Sequence, residues 1–275
     1  MVTNDDGIDS IGLHVLARAM RPFGEVVIAA PDQEYSGFGA AVGTLFTMRP
    51  EVRVATVDGI DEAWAIGGPP ALCAMFGRLG VFGPIDLVVS GINPGANVGR
   101  SVYHSGTIGA CLTARNGGTS GVAVSQSVDG VGVEGQGWEE ALLHQKWEGA
   151  AEVAAIAVDA LVAELPTSPI VLNINVPNRH AADMEGWRRT RVGSEPPRSM
   201  SKAELVPKLG HDGTFHVDMS WGDTVELPAD TDGGAVMRGY ASLSWLGRIE
   251  AIDPGTGVVG NVEAAFDGFY AADGS

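Results

Sequence analysis

The sequence predicts an α/β fold: a mostly parallel sheet flanked by helices. Three observations carry this reading. Continuous apolar runs of strand length at 25–30, 85–90 and 170–177 are what strands buried on both faces look like. Segments between them repeat apolar residues at helical spacing, as in Ile11, Val15, Leu16, Ala19 and Met20. The first strand, helix and second strand follow one another within about 30 residues, which is a βαβ unit.

Residues 1–4 read as the end of a strand, shorter than the five or six residues of a usual central strand. Such a strand is either truncated or continued upstream. Ser10 is placed to cap a helix over 11–22, ended by Pro22 and Gly24. The run at 25–30 is the second strand, and a polar loop over 31–39 leaves the same sheet edge as the Asp5-Asp6 turn. Residues 51–57 and 62–66 predict a strand pair turning at Asp58-Gly59. Gly67-Gly68-Pro69-Pro70 opens a helix over 70–79. The strand at 85–90 runs into a Gly- and Asn-rich loop over 91–99. A helix starts near Ile108, a strand follows at 121–125, and the Gly-rich stretch 129–137 reads as loop. A single long helix is expected over 139–165, then a last core strand at 170–177. Alternation at 214–220 and 240–246 suggests β-hairpin elements outside the parallel sheet, and the Gly- and Asp-rich tail after 246 reads as partly loose.

Composition narrows the function. The chain has 275 residues, 45% of them hydrophobic, enough for one large domain or a domain with an arm. Its formal charge of −17 repels phosphate backbones and argues against a nucleic acid polymer as partner. No apolar run reaches the roughly 18 residues of a membrane span. The N-terminus carries Asp5, Asp6 and Asp9 where a signal peptide would be basic, so a cytoplasmic location is expected. Cys73 and Cys111 have no metal-type spacing and read as buried thiols.

In open α/β sheets, ligands bind beyond the carboxyl ends of the strands. Three such ends carry hard oxygen donors: Asp5 and Asp6 after the first strand, Ser36 after the second, and Asn93 after the strand at 85–90. Carboxylates, a hydroxyl and an amide without Cys or His favour one divalent ion of the type Mg²⁺ or Mn²⁺, with Ca²⁺ open, over zinc. His104-Ser105-Gly106-Thr107 at a helix start offers hydroxyls and N–H groups to an anion. Taken singly, each of these is also an ordinary turn or cap, and Asn97 an ordinary αL residue. Their meeting on one sheet edge is the stronger signal.

The chain resembles the SurE family of stationary-phase survival proteins, which act as 5′/3′-nucleotidases. The matching pieces are Thr3-Asn4-Asp5-Asp6-Gly7-Ile8, Ala30-Pro31-Asp32, Ser36-Gly37, Ser90-Gly91-Ile92-Asn93-Pro94-Gly95-Ala96-Asn97 and His104-Ser105-Gly106-Thr107. Asn173-Ile174-Asn175-Val176-Pro177, Thr231-Asp232 and Gly239-Tyr240-Ala241-Ser242 follow in the family's order. The resemblance implies a Rossmann-like core over 1–178, a β-hairpin oligomerisation arm and closing strand over 179–246, and a tail over 247–275. It implies metal ligands at Asp5, Asp6, Ser36 and Asn93, a phosphate pocket at Asn97, Ser105, Gly106 and Thr107, and a homodimer or homotetramer through the arm. Two segments depart from the family. Pro69 and Leu72 stand where it commonly has Thr and Asp, and Thr113-Ala114 replaces its Glu-Gly.

The expected reaction is metal-dependent hydrolysis of nucleoside monophosphates, with Asp5 or Asp6 orienting or deprotonating the water. Two rivals remain at this stage. An aspartate-nucleophile phosphatase of the haloacid dehalogenase type would use Asp5, but that class has Asp-x-Asp where these acids are adjacent. A nucleotide- or metal-binding relative without turnover would fit the replaced acids at Leu72 and Thr113.

Overall fold

The computed structural model describes residues 1–43, 49–129, 138–198, 200–251 and 257–272. The expected loop at 129–137 lies almost wholly outside them.

The chain opens with β1 (Val2–Thr3), buried throughout, and α1 (Ile11–Met20). Ser10 caps α1 as its sequence predicts, its Oγ accepting from the Leu13 N–H at 3.3 Å. A short 3₁₀ turn at Arg21–Phe23 carries the helix to β2 (Val27–Pro31). β3 (Val52–Val57) and β4 (Ile60–Ile66) form the expected antiparallel pair. α2 (Pro70–Arg78) has Pro at its first turn, and β5 (Leu87–Pro94) is longer than expected. β5 absorbs Gly91, Ile92, Asn93 and Pro94, which read as loop in the sequence. It does so by skipping register against its neighbour between Ser90 and Asn93. α3 (Gly106–Asn116) and β6 (Ser120–Gln126) follow.

The long helix expected over 139–165 is two helices, α4 (Trp138–Leu142) and α5 (Trp147–Ala163). At the break, side-chain partners replace helical ones. Gln145 Nε2 donates to Gln126 Oε1 and the Ser127 carbonyl, both at 2.9 Å, and Asn178 Oδ1 accepts from the Lys146 N–H at 2.8 Å. β7 (Val171–Val176) and the edge strand β8 (Trp187–Arg189) come next.

The C-terminal third corrects two expectations. The hairpin pairs β9 (Met200–Pro207) with β10 (Phe215–Trp221), so the partner of 214–220 precedes it. After α6 (Asp232–Met237), β11 (Ala241–Trp245) is no part of a hairpin: it joins the main sheet antiparallel to β7. The tail also carries α7 (Gly257–Ala272).

The sheet has nine strands in the order β3-β4-β2-β1-β5-β6-β7-β11-β8, and the six from β4 to β7 run parallel. The chain runs outward from β1 to β2 and β4, then returns to β5 on the other side of β1. That reversal between β1 and β5 is where such a sheet opens a crevice at its carboxyl edge. One core layer packs Leu13, Leu16, Ala150 and Ala154 of α1 and α5 under the sheet. The other packs Leu72, Cys73, Ala110 and Ala114 of α2 and α3 above it. Leu72, where the family has an acid, is thus a core residue here. Both cysteines are free and buried. Among the described residues, no helix is long and apolar enough to cross a membrane.

Candidate active site at the carboxyl edge of the sheet

The turn after β1 is wired from both sides. Asn4 is buried and donates through Nδ2 to the Gly7 carbonyl at 3.1 Å and to Ser10 Oγ at 2.8 Å. Gly7 has φ +99°, a conformation that favours glycine, and lies against the backbone of Gln33. Asp5 is 2% exposed. Its Oδ1 accepts from the Thr107 hydroxyl at 2.5 Å and its Oδ2 from the Gly106 N–H at 3.1 Å. A Cβ at Gly106 would fall 2.8 Å from Asp5 Cβ and Oδ2, so glycine is what lets the start of α3 approach the carboxylate.

Asp6 differs. Its Oδ2 is buried and has no hydrogen-bond partner among the described residues. Burial raises both carboxyls. At Asp5 the Thr107 hydroxyl and the N–H groups oppose the rise. Asp6 is pushed well above the ordinary carboxylate range, first by burial, then by the charges of Asp5 and Glu34.

The loop after β2 is laid against this corner. The Tyr35 N–H donates to the Asp5 carbonyl at 2.7 Å, and the Gly39 N–H to the His104 carbonyl at 3.0 Å. Gly109 of α3 leaves room for the loop, since a Cβ there would meet Gly39 O at 2.1 Å. Ser36, next to Tyr35, is exposed. Asn93 is near the end of β5, which pairs with β1 through Thr3↔Ser90. Its Nδ2 donates to the Gly95 carbonyl at 2.7 Å, leaving its amide oxygen without a partner among the described residues.

The expected phosphate residues fall into two places. Ser105 caps α3, its Oγ accepting from the Ile108 N–H at 3.1 Å, so Ser105, Gly106 and Thr107 stand beside Asp5. Asn97 lies over β6 and β7, its Nδ2 donating to Ser125 Oγ at 2.9 Å. The Gly99 N–H that follows it donates to Asp232 Oδ2 at 3.0 Å. Asp232 also accepts from the N–H groups of Gly193 at 2.9 Å and Gly233 at 2.8 Å, tying both ends of the hairpin segment to the Asn97 loop. Sequence reading gave no role to Glu34, Ser125, Asn173, Asn175 or Asp232. The signal for the asparagines was available: two amides at i and i+2 in an otherwise apolar strand share one face.

Among the described residues, no group of three or more His, Cys, Asp or Glu is placed so that those side chains alone could hold a metal ion. The donor set nevertheless fits a hard divalent cation. It combines two adjacent acids, a buried carboxylate oxygen with no partner and an amide oxygen. An open cleft lined by Arg78, Ile85, Gly117 and Thr119 lies at the opposite edge and holds none of these residues.

Comparison with known proteins gives the chain's family and agrees with its fold. A family profile described as "Survival protein SurE" matches residues 1–198. The 5′/3′-nucleotidase SurE of Erwinia tasmaniensis is 33% identical over 247 residues, covering 90% of this chain and 88% of that protein. The protein of the same name from Yersinia pestis is 34% identical over 251 residues, with the same coverage. The crystal structure of the SurE protein from Aquifex aeolicus superposes with a TM-score of 0.71 at 27% identity, over 89% of this chain and 91% of that one. The chain belongs to the SurE family.

Proposed function

We propose that the chain is a divalent-metal-dependent 5′/3′-nucleotidase, hydrolysing nucleoside monophosphates to nucleoside and phosphate at the edge between β1 and β5. The activity for which the relatives are named supports the reaction class. The observation that carries the site is the buried, unpartnered Oδ2 of Asp6 beside a fully bonded Asp5. Asp5, Asp6, Ser36 and Asn93 would hold one ion, Mg²⁺ or Mn²⁺ before Ca²⁺. When bound, the ion supplies positive charge to the phosphoryl group and acidifies water.

The chain's own residues do the rest. Water oxygen attacks phosphorus and gives up a proton, the bond from phosphorus to the ester oxygen breaks, and that oxygen takes the proton up so that the nucleoside leaves as an alcohol. Asp6 would take the water's proton; the engagement of both Asp5 oxygens supports that choice. Thr107 and Gly106 fix Asp5, and Asn97 with Ser105 would face the phosphate oxygens as charge builds. In a chain of charge −17, uncharged donors and an ion are what an anionic substrate can meet.

The test is phosphate release from a panel of nucleoside 5′- and 3′-monophosphates with Mg²⁺ or Mn²⁺, with and without chelator. Release that the chelator abolishes and either ion restores is expected. Release indifferent to chelator overturns the metal's role.

We further propose the division into a core at 1–178, an arm with the closing strand at 179–246 and a tail at 247–275, with the arm joining copies into a homodimer or homotetramer. The hairpin of β9 and β10 is exposed along both strands, with Leu205, Phe215, Val217 and Met219 facing outward. Exposed apolar strands of this kind call for a partner. Light scattering should give a multimer that Val217→Glu shifts toward monomer; an unshifted mass removes the arm from the interface. Two buried free thiols support a cytoplasmic setting.

A further inference from the structure

The Asn97 loop is suspended from strands to which it does not belong. Asn97 O accepts from Asn173 Nδ2 at 3.1 Å and from Asn175 Nδ2 at 3.2 Å. Both asparagines are fully buried on β7, two residues apart and so on one face. A carbonyl can only accept, so both amides must turn their NH₂ groups to it. Their own oxygens are then left without partners among the described residues. Burying two primary amides with both oxygens unpaired is unfavourable, and two aliphatic side chains would suit the sheet better. Stability alone does not account for the arrangement.

What it achieves is orientation. The 97–98 peptide is trans, so its N–H, on Val98, points opposite to the carbonyl and away from the two amides. Val98 is fully buried, and its N–H has no acceptor among the described residues. A carbonyl turned toward a phosphoryl oxygen repels it, whereas an N–H attracts it.

We propose that Asn173 and Asn175 are positioning residues of the phosphate pocket, holding the Asn97 carbonyl back so that the Val98 N–H meets the substrate's phosphoryl group. This rests on the reading of the site given above. Ser125 supports the same loop through the Asn97 side chain, so the asparagines' own contribution is to the peptide plane.

The experiment titrates inorganic phosphate into the full, ¹⁵N-labelled, metal-loaded protein. The Val98 amide resonance should move downfield as phosphate binds; a resonance that stays put while phosphate binds overturns the proposal, and this needs no variant. Asn173→Ser and Asn175→Ser should each weaken phosphate binding about tenfold and raise KM while lowering kcat. Ser244→Ala is the matched control. Ser244 is equally buried on the neighbouring β11 but bonds Thr190, and this variant should leave phosphate affinity unchanged. If the asparagine variants lose only folded fraction, with unchanged affinity in what remains, or if Ser244→Ala weakens phosphate equally, the role is structural and the proposal fails. A wild-type protein that releases phosphate from nucleotides while Val98 stays silent refutes this inference alone; one that neither binds phosphate nor turns over refutes the site as well.

Discussion

The side of the acidic turn that faces α3 and the side that faces the loop at 32–39 are built on opposite principles. Toward α3, Asp5 spends one oxygen on the Thr107 hydroxyl and the other on the Gly106 N–H, and glycine at 106 brings the helix start within reach. Toward the loop, Asp6 buries an oxygen that has no hydrogen-bond partner among the described residues, under the added charge of Glu34. A bonded carboxylate serves the architecture as well as the chemistry. An unbonded buried one gives the metal-free fold nothing in return, and that is the mark of a group kept for a ligand.

The largest effect should therefore separate the two acids. Asp6→Ala is expected to lower phosphate release by roughly 10²–10⁴-fold, the range of a lost proton acceptor, and to leave the chelated protein as stable or more so. The pH dependence follows the same logic. The folded Asp6 carboxyl lies above its unfolded value, so between those values the folded state holds the extra proton. Stability of the chelated protein must then fall as pH rises through that window. Urea melts in chelator from pH 4 upward should show this slope in the wild type and a shallower one in Asp6→Ala. Identical slopes would remove Asp6 as the strained acid.

Asp5→Ala should cost activity too, but with a stability loss of about 1–3 kcal/mol, because it strands two buried donors. Equal denaturation midpoints for the two alanine variants would erase the contrast. Gly106→Ala probes the contact itself. Its Cβ would press on Asp5 and on Pro70 Cγ, 3.0 Å away, in a packed corner. A destabilisation of about 1–3 kcal/mol is expected, with activity lowered even where the protein is fully folded. Full activity would show that Asp5 can retreat without consequence.

How much of this the sequence disclosed depends on whether a residue's neighbours are local. β2, β5, β6 and β7 were legible because parallel strands buried on both faces are continuous apolar runs. The cap at Ser10 was legible because it bonds three residues ahead. The break before α5 was not, since its cause is Gln126 and Asn178, about 20 and 30 residues away. β9 escaped because its apolar and polar residues do not alternate, whereas β10, equally exposed, alternates Phe215, Val217, Met219 and Trp221 with polar residues. β11 looked like its hairpin neighbours because one alternating strand resembles another until its partner is known. Within the site, the strand ends bearing Asp5, Asp6 and Asn93 followed from topology, while the bonds that distinguish Asp5 from Asp6 come from more than 100 residues along the chain.

Ser36 gives the smallest effect and the sharpest limit on the comparison. It stands beside Tyr35, whose N–H holds the loop to the Asp5 carbonyl, yet its own side chain is exposed. The loop's position therefore belongs to backbone bonds that Ser36→Ala leaves intact. Stability should change by no more than about 0.5 kcal/mol, as for an ordinary surface site. If the hydroxyl is an ion ligand, the metal concentration for half-maximal activity should rise several-fold, while KM for nucleotide at saturating metal changes little. If that concentration is unchanged, the loop acts only as a wall beside Asp6, and the ion is held by Asp5, Asp6 and Asn93 alone.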